Sequence, residues 1–433
     1  MIGAGAAGLA AARALHAAGV DVEVLEARDR IGGRILTLTD PATERPIELG
    51  AEFIHGQAPD LQRLLAEASL STVDVCGTRW QAARSRWRRL TGFWDRLDRA
   101  MRPLQSARTA DRSFDDVFRR LRGRQPVADR TLARRYVEGF HAADPRRVSA
   151  WSLAEGGTPA EDIRERRLAR VFEGYGRLVE WLAKPIASRI TRSAAVTAVR
   201  WKPGRVTVEV GRRKPISARA AIVAVPLGVL QAPAGERGAI TFDPPLAAKT
   251  PALSNLAMGT AVRVVLRLAD RFWAGERFAD AHAGDDVERM SFLHLPGREF
   301  PTWWTTYPVI SPYLVGWCGG PTAVRLLGQP QSAIVERAIG VLAGHSGLTR
   351  RRMRSLVEAA WTYDWLHDPF ARGAYSYQMV GGAEAPAALA RPLSSTLFFA
   401  GEATDIEGAT GTVHGALASG WRAARQVRRA SGR

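Results

Sequence analysis

Residues 1–34 read MIGAGAAGLAAARALHAAGVDVEVLEARDRIGGR, and this stretch decides the fold. Gly3, Gly5 and Gly8 fit G-x-G-x-x-G, with Ala7 inside the motif. The first glycine makes a tight turn, the second admits a pyrophosphate to the backbone, and the third lets helix meet sheet. The alanine-rich run to Gly19 reads as a helix and Val20 to Leu25 as an apolar strand, so residues 3–27 form a βαβ unit. Glu26 ends that strand, where a carboxylate accepts hydrogen bonds from adenosine ribose hydroxyls. Only Met1 and Ile2 precede Gly3, whereas a strand ordinarily has about five or six residues. The first strand is therefore expected to be largely missing, its remainder encoded just upstream.

Beyond Glu26 stands Arg28-Asp-Arg-Ile-Gly32-Gly33-Arg34, a second glycine turn with guanidinium groups on the same edge. At the other end, Leu397-Phe-Phe-Ala-Gly401-Glu402-Ala-Thr404 leads to Gly411-Thr412-Val413-His414-Gly415-Ala416. A strand entering a glycine turn and then a helix offers backbone N–H groups and a positive dipole end to an anion. These two ends together resemble the flavin-containing amine oxidase family, which includes monoamine and polyamine oxidases, lysine-specific histone demethylases and L-amino-acid oxidases.

The resemblance implies an α/β fold. A Rossmann-like FAD-binding domain (1–57, 171–240, 385–433) is interleaved with an α+β substrate domain (241–384) and a helical insertion (58–170). It implies that Gly50, Ala51, Glu52 and Phe53 run beside the flavin ring, that the Val196 backbone meets adenine, that Glu402 bonds a ribityl hydroxyl, and that Trp365 lies near the flavin, a plain core tryptophan being the other reading. Monoamine oxidases tether flavin through a cysteine before a tyrosine. Ala374-Tyr375 stands here, so FAD is expected to be noncovalent.

For the chemistry, the family places a lysine in a strand after a glycine, bridging through water to the flavin. Gly259-Thr-Ala-Val-Arg263 puts Arg263 there, a planar, bulkier group that does not usefully deprotonate; Lys249, fourteen residues earlier and after Pro244-Pro245, reads as a surface residue. Tyr375 matches one wall of the monoamine oxidase aromatic cage, and Thr412 falls at the other. His55 resembles the histidine that polyamine oxidases hold near the substrate, with a structural histidine as the alternative. Phe53 occupies the position of the arginine that L-amino-acid oxidases use for the substrate carboxylate, which argues against an α-amino acid.

The 433 residues carry a formal charge of +18, nearly all the excess being arginine. This skew fits a GC-rich bacterial genome better than a nucleic-acid surface, since no binding motif accompanies it. Such a charge repels polycations unless the channel is locally acidic; Glu52 and Glu173 are the candidates. Cys76 and Cys318 are the only cysteines, which excludes a cysteine-built metal site and suits a reducing cytoplasm. No apolar run is long enough for a membrane span. The expected activity is oxidation of a primary or secondary amine, with O2 as acceptor. Rival readings are a flavin desaturase or porphyrinogen-type oxidase, and a non-catalytic FAD protein binding nucleic acid through Arg84, Arg86, Arg88, Arg89, Arg119 and Arg120.

Overall fold

The computed structural model describes residues 1–432 apart from 84, 122–124, 156–166 and 281–285. At its centre, parallel segments lie in the order 190–191, 24–25, 2, 221–223 and 397–399. Ile2 alone takes the middle place. Its N–H donates to Ile222 O at 2.9 Å and its carbonyl accepts from Ala224 N at 2.8 Å, while Met1 O and Gly3 N bond Leu25 at 2.9 and 2.8 Å. The expected strand from Val20 is shorter, covering only Val24–Leu25.

The first helix, Ala6–Ala17, begins after Gly5 with no side-chain cap. It ends where Gly19 turns the chain at a φ of 72°, a left-handed conformation that glycine adopts without strain. Its small side chains let the closing helix, Val413–Ala430, cross it closely. A Cβ on Gly420 would stand 2.3 Å from Ala7 O, and one on Gly8 would stand 2.0 Å from Gly3 O. The third glycine of the motif thus serves helix–strand packing, as its spacing implied.

A second sheet has seven strands in the order 357–362, 261–268, 313–319, 302–305, 290–294, 78–83 and 86–89. Period-two alternation divides its faces. Val262, Val264, Leu266, Leu293, Trp303 and Cys318 join the core beneath the helix Gln331–Ser346. Ala261, Arg263, Phe292, Trp304 and Trp317 face a cavity on the other side.

The helical reading of 58–170 needs correction. Helices do form at Pro59–Glu67, Phe93–Met101, Phe114–Arg120, Val127–Gly139 and Ala150–Glu155. Thr78–Ala83 and Arg86–Arg89, however, are an antiparallel hairpin on the edge of the seven-stranded sheet. Thr72–Asp74 and Leu168–Val171 pair with each other, and the latter pairs with Phe53–His55. The cause is alternation: Trp80, Ala82 and Trp87 are all buried in the sheet's core, which a helical period would not achieve. Arg86, Arg88 and Arg89 accordingly lie on a strand rather than a basic helix, and Arg84 lies outside the described residues. Arg89 pairs with Asp286 at 3.3 Å and Arg119 with Asp116 at 3.1 Å.

Lys249, which sequence reading assigns to the surface, is 1% exposed. Its Nζ donates to the carbonyls of Ala388 (2.7 Å), Leu389 (3.0 Å) and Arg391. It therefore caps the C-terminal end of the helix Ala385–Ala390, where carbonyls lack intrahelical donors. Burial lowers its pKa to about 8. No helix among the described residues is long and apolar enough to cross a membrane.

The closeness of the two helices gives a direct test. Gly420→Ala forces a methyl group against Ala7 O and is expected to lower unfolding free energy by about 2 kcal/mol, measured by chemical denaturation. An unchanged midpoint would show that the crossing tolerates more room than the geometry allows.

Candidate active site

A cavity of about 1490 Å³ runs between the parallel sheet and the seven-stranded sheet. This exceeds the usual range for a small-ligand pocket and leaves room for a dinucleotide together with a substrate. Its lining brings together Gly3, Gly5, Ala7, Glu26, Arg28, Gly33, Arg34, Gly50, Ala51, Glu52, Phe53, His55, Val196, Arg263, Trp365, Tyr375, Gly401, Glu402, Gly411, Thr412, Val413 and Ala416. Of the residues expected at the site, Gly8 and Glu173 do not line it. Residues spread along nearly the whole chain thus meet in one space.

The amino-terminal edge has the chemistry of a nucleotide cradle. Glu26 is 3% exposed; its Oε2 accepts from Ala4 N at 2.8 Å and its Oε1 from Arg28 N at 3.0 Å. A carboxylate so held keeps lone pairs for a ribose. Gly5 and Ala6 open the uncapped first helix onto the cavity, leaving first-turn N–H groups for a pyrophosphate. Gly33, with a φ of 60°, lies so near that a Cβ would stand 3.3 Å from Gly5 Cα. At Val196 the strand pairing slips between Val196 and Ala198, a bulge that bends the backbone at the cavity wall. These features fit an adenine dinucleotide.

Arg28 and Arg34 reach across the chain. Arg28 donates to Asp368 Oδ2 through Nη2 at 2.8 Å and Nε at 3.2 Å, and Tyr363 OH donates to the same oxygen at 2.7 Å. Arg34 Nη1 donates to Glu402 Oε1 at 2.7 Å and to Ala374 O at 2.9 Å. Glu402 also accepts from Ser376 Oγ at 2.6 Å and Gly411 N at 3.1 Å. Thr412 Oγ1 donates to Ala409 O at 2.7 Å and accepts from Gly415 N at 3.0 Å. It caps the closing helix while lining the cavity.

Around Arg263 the structure adds partners that sequence reading missed. Arg263 is 7% exposed. Its Nη1 donates to Glu48 O at 2.7 Å, and its Nη2 lies 3.4 Å from Glu52 Oε2. Glu52 also accepts from Arg170 Nε at 2.6 Å and Trp304 Nε1 at 3.1 Å. The guanidinium carbon of Arg263 lies 5.5 Å from the ring centres of both Trp304 and Trp317. Burial lowers its pKa, and Glu52 and Glu48 oppose the shift; the group stays charged. Alternation along 302–305 and 313–319 was the signal that could have found both tryptophans.

Glu52 therefore cannot supply the local acidity expected of it, because two arginines face it. Nor does Glu173, whose carboxylate accepts from Ser71 N at 3.0 Å, away from the cavity. Tyr375 is fixed by its OH donating to Phe140 O at 2.7 Å, and Gly411 leaves space beside its ring. Trp365 donates from Nε1 to Leu49 O at 2.8 Å. His55 meets Phe140 edge-on at 5.2 Å. Burial lowers its pKa to about 4, aided by His414 and His141, neither of which the sequence singled out.

Two outcomes follow from this geometry. Glu402→Gln removes the charge facing Arg34 and is expected to cost about 2–3 kcal/mol in urea unfolding; a midpoint equal to wild type would show the contact is inert. His55 binds protons more readily unfolded than folded, so its neutral burial contributes stability above pH ~6.5 that is lost as pH falls towards ~4. Melting temperatures at pH 7 and 4.5 should therefore drop further for wild type than for His55→Asn, and parallel curves would contradict this.

Comparison with known proteins adds to the geometry. Residues 6–428 match the family model described as flavin containing amine oxidoreductase. Polyamine oxidase 2 of Arabidopsis thaliana is 29% identical, over 99% of this chain and 87% of that protein. Polyamine oxidase 3 of Oryza sativa subsp. japonica is 28% identical, over 99% and 88%. Among solved structures, cyclohexylamine oxidase from Brevibacterium oxydans IH-35A superposes with a TM-score of 0.79 at 21% identity, covering 100% of this chain and 98% of that one. The mixed α/β fold is thus that of flavin-dependent amine oxidases, and the chain belongs to the flavin-containing amine oxidoreductase family.

Proposed function

We propose that this enzyme oxidises a primary or secondary amine to an imine, which water hydrolyses, using noncovalently bound FAD and O2 as the final acceptor. The observation that carries this reading is the joining of both chain ends and Arg263 in one cavity. Ala374 at the tether position supports noncovalent binding, since a methyl side chain forms no thioether. Polyamine oxidases among the relatives support the amine as substrate.

FAD, when bound, would accept the two electrons of the substrate's α C–H bond while the nitrogen gives up a proton and the C–N bond becomes C=N. The protein's part is to bind, orient and exclude water. Tyr375, pinned through its hydroxyl, presents a rigid ring that can stabilise an arriving ammonium by roughly 0.5–2 kcal/mol. Trp304 and Trp317 narrow the opposite wall. Arg263 keeps Glu52 in place through its Nη2, and its Nε has no acceptor among the described residues, leaving a donor for a bound water. His55, neutral above pH ~4, adds no charge to repel the amine.

Anaerobic mixing of the purified protein with mono-, di- and polyamines tests this reading through flavin absorbance. Bleaching by at least one class is expected; absence of bleaching by all of them removes the proposal. Arg263→Lys restores the family's residue and is expected to speed flavin reoxidation by air roughly tenfold or more, with substrate preference unchanged. An unaltered reoxidation rate would mean that Arg263 already does what the lysine does.

A further inference from the structure

Past Phe53, Phe292 and Trp304 the cavity opens into a second chamber between the hairpin strand 78–83 and the helices 93–101 and 127–139. Arg79, Arg96 and Arg135 all line it. Strand alternation sends Trp80 into the core and Arg79 into the chamber. The guanidinium carbon of Arg79 lies 4.3 Å from the ring centre of Phe292, 4.9 Å from Phe93 and 5.2 Å from Trp94.

These rings surround a cation that has no anion. Among the described residues no carboxylate lies within ion-pair distance of Arg79, Arg96 or Arg135, Glu138 pairing with Arg134 and acting on Arg135 only from further off, and no side-chain hydrogen bond holds Arg79. Arg135 makes only long contacts, to the carbonyls of Leu295 at 3.5 Å and Gly297 at 3.3 Å. The carboxylates elsewhere in the lining sit on other elements: Asp60 pairs with Arg63, Glu52 with Arg170 and Arg263, and Glu402 with Arg34; Glu26 and Asp405 accept backbone N–H groups, and Glu155, Glu384 and Glu407 lie at the end of helix 150–155, before helix 385–390 and in the turn after Asp405. Burial lowers the pKa of Arg79 to about 10. His294, stacked on Phe93 at 5.1 Å, is pushed down to about 3 by burial and by the charges of Arg79 and Arg135. The chamber is therefore positive, and half-buried Arg79 faces it with no carboxylate partner among the described residues, which favours an anionic guest. Aromatic faces offset part of that charge but leave the N–H donors of the guanidinium unused.

We propose that this chamber receives a carboxylate at the far end of the substrate, paired with Arg79, so that the enzyme prefers an amine bearing a remote acid over one bearing a second amine. This rests on the amine oxidase reading above and narrows it. Contact runs from Arg263 to Trp304 at 5.5 Å, from Trp304 to Phe292 at 6.3 Å, and from Phe292 to Arg79 at 4.3 Å. The acid thus lies several bonds from the reacting carbon. An α-amino acid, whose carboxylate adjoins that carbon, does not reach it.

The test compares an ω-aminocarboxylate, the neutral alkylamine and the α,ω-diamine of equal chain length, by anaerobic flavin reduction and steady-state kinetics. The aminocarboxylate is expected to show the highest kcat/KM. Arg79→Gln should collapse its advantage over the alkylamine roughly tenfold or more, mainly through KM, with Arg79→Lys keeping part of it. Calorimetric titration of the holoenzyme with the alkyl carboxylate lacking an amine provides a readout independent of turnover. Binding by wild type that Arg79→Gln abolishes at unchanged melting temperature supports the proposal. A preference for the diamine, or an equal loss for all three amines in Arg79→Gln, overturns it. If none of the three reduces the flavin, the amine oxidase reading fails, and the calorimetry alone decides the chamber: no carboxylate binding overturns it too.

Discussion

The pairing of Glu402 with Arg34 is the constraint around which the molecule closes. A carboxylate that is 5% exposed requires donors, and those it finds come from the start of the chain, from Ser376 and from the turn at Gly411. Arg28 with Asp368 repeats the device. Neither pair forms until the two ends of the chain meet, so the cavity and the cofactor edge are consequences of one closure. Both pairs also hold the amino-terminal glycine turns against the segment carrying Ala374 and Tyr375.

Much of this was legible in the sequence because the cofactor edge depends on local rules. Gly3, Gly5, Gly8 and Glu26 sit where turn geometry and strand length demand them, and the carboxy-terminal strand, glycine turn and helix obey the same logic. The segment 72–89 was misread because arginines on the open face of a hairpin hide the alternation of Trp80, Ala82 and Trp87 beneath them. Lys249 was misread for a related reason: a lysine after two prolines resembles surface, and only the fold brings the end of the helix Ala385–Ala390 to its ammonium. Long-range partners of this kind leave no local trace.

Arg263 shows how a buried arginine is accommodated in a strand that faces the cavity. An arginine in a strand beside two tryptophans needs more acceptors than a lysine does, and it is answered by the backbone of Glu48 and by Glu52. Glu52 in turn answers Arg170, so that this stretch of the cavity wall sets two cations against one anion. The same excess continues into the chamber at Arg79.

The solitary Ile2 at the middle of the parallel sheet bears on how the chain is made. Its neighbours on one side come from 24–25 and on the other from 221–223, and the outer strand from 397–399. The first helix finishes its packing only against 413–430. A ribosome delivering this chain in order therefore releases a nucleotide-binding half whose sheet and helix remain open at one side until the last residues emerge. Its apolar edges stay unpaired throughout that interval.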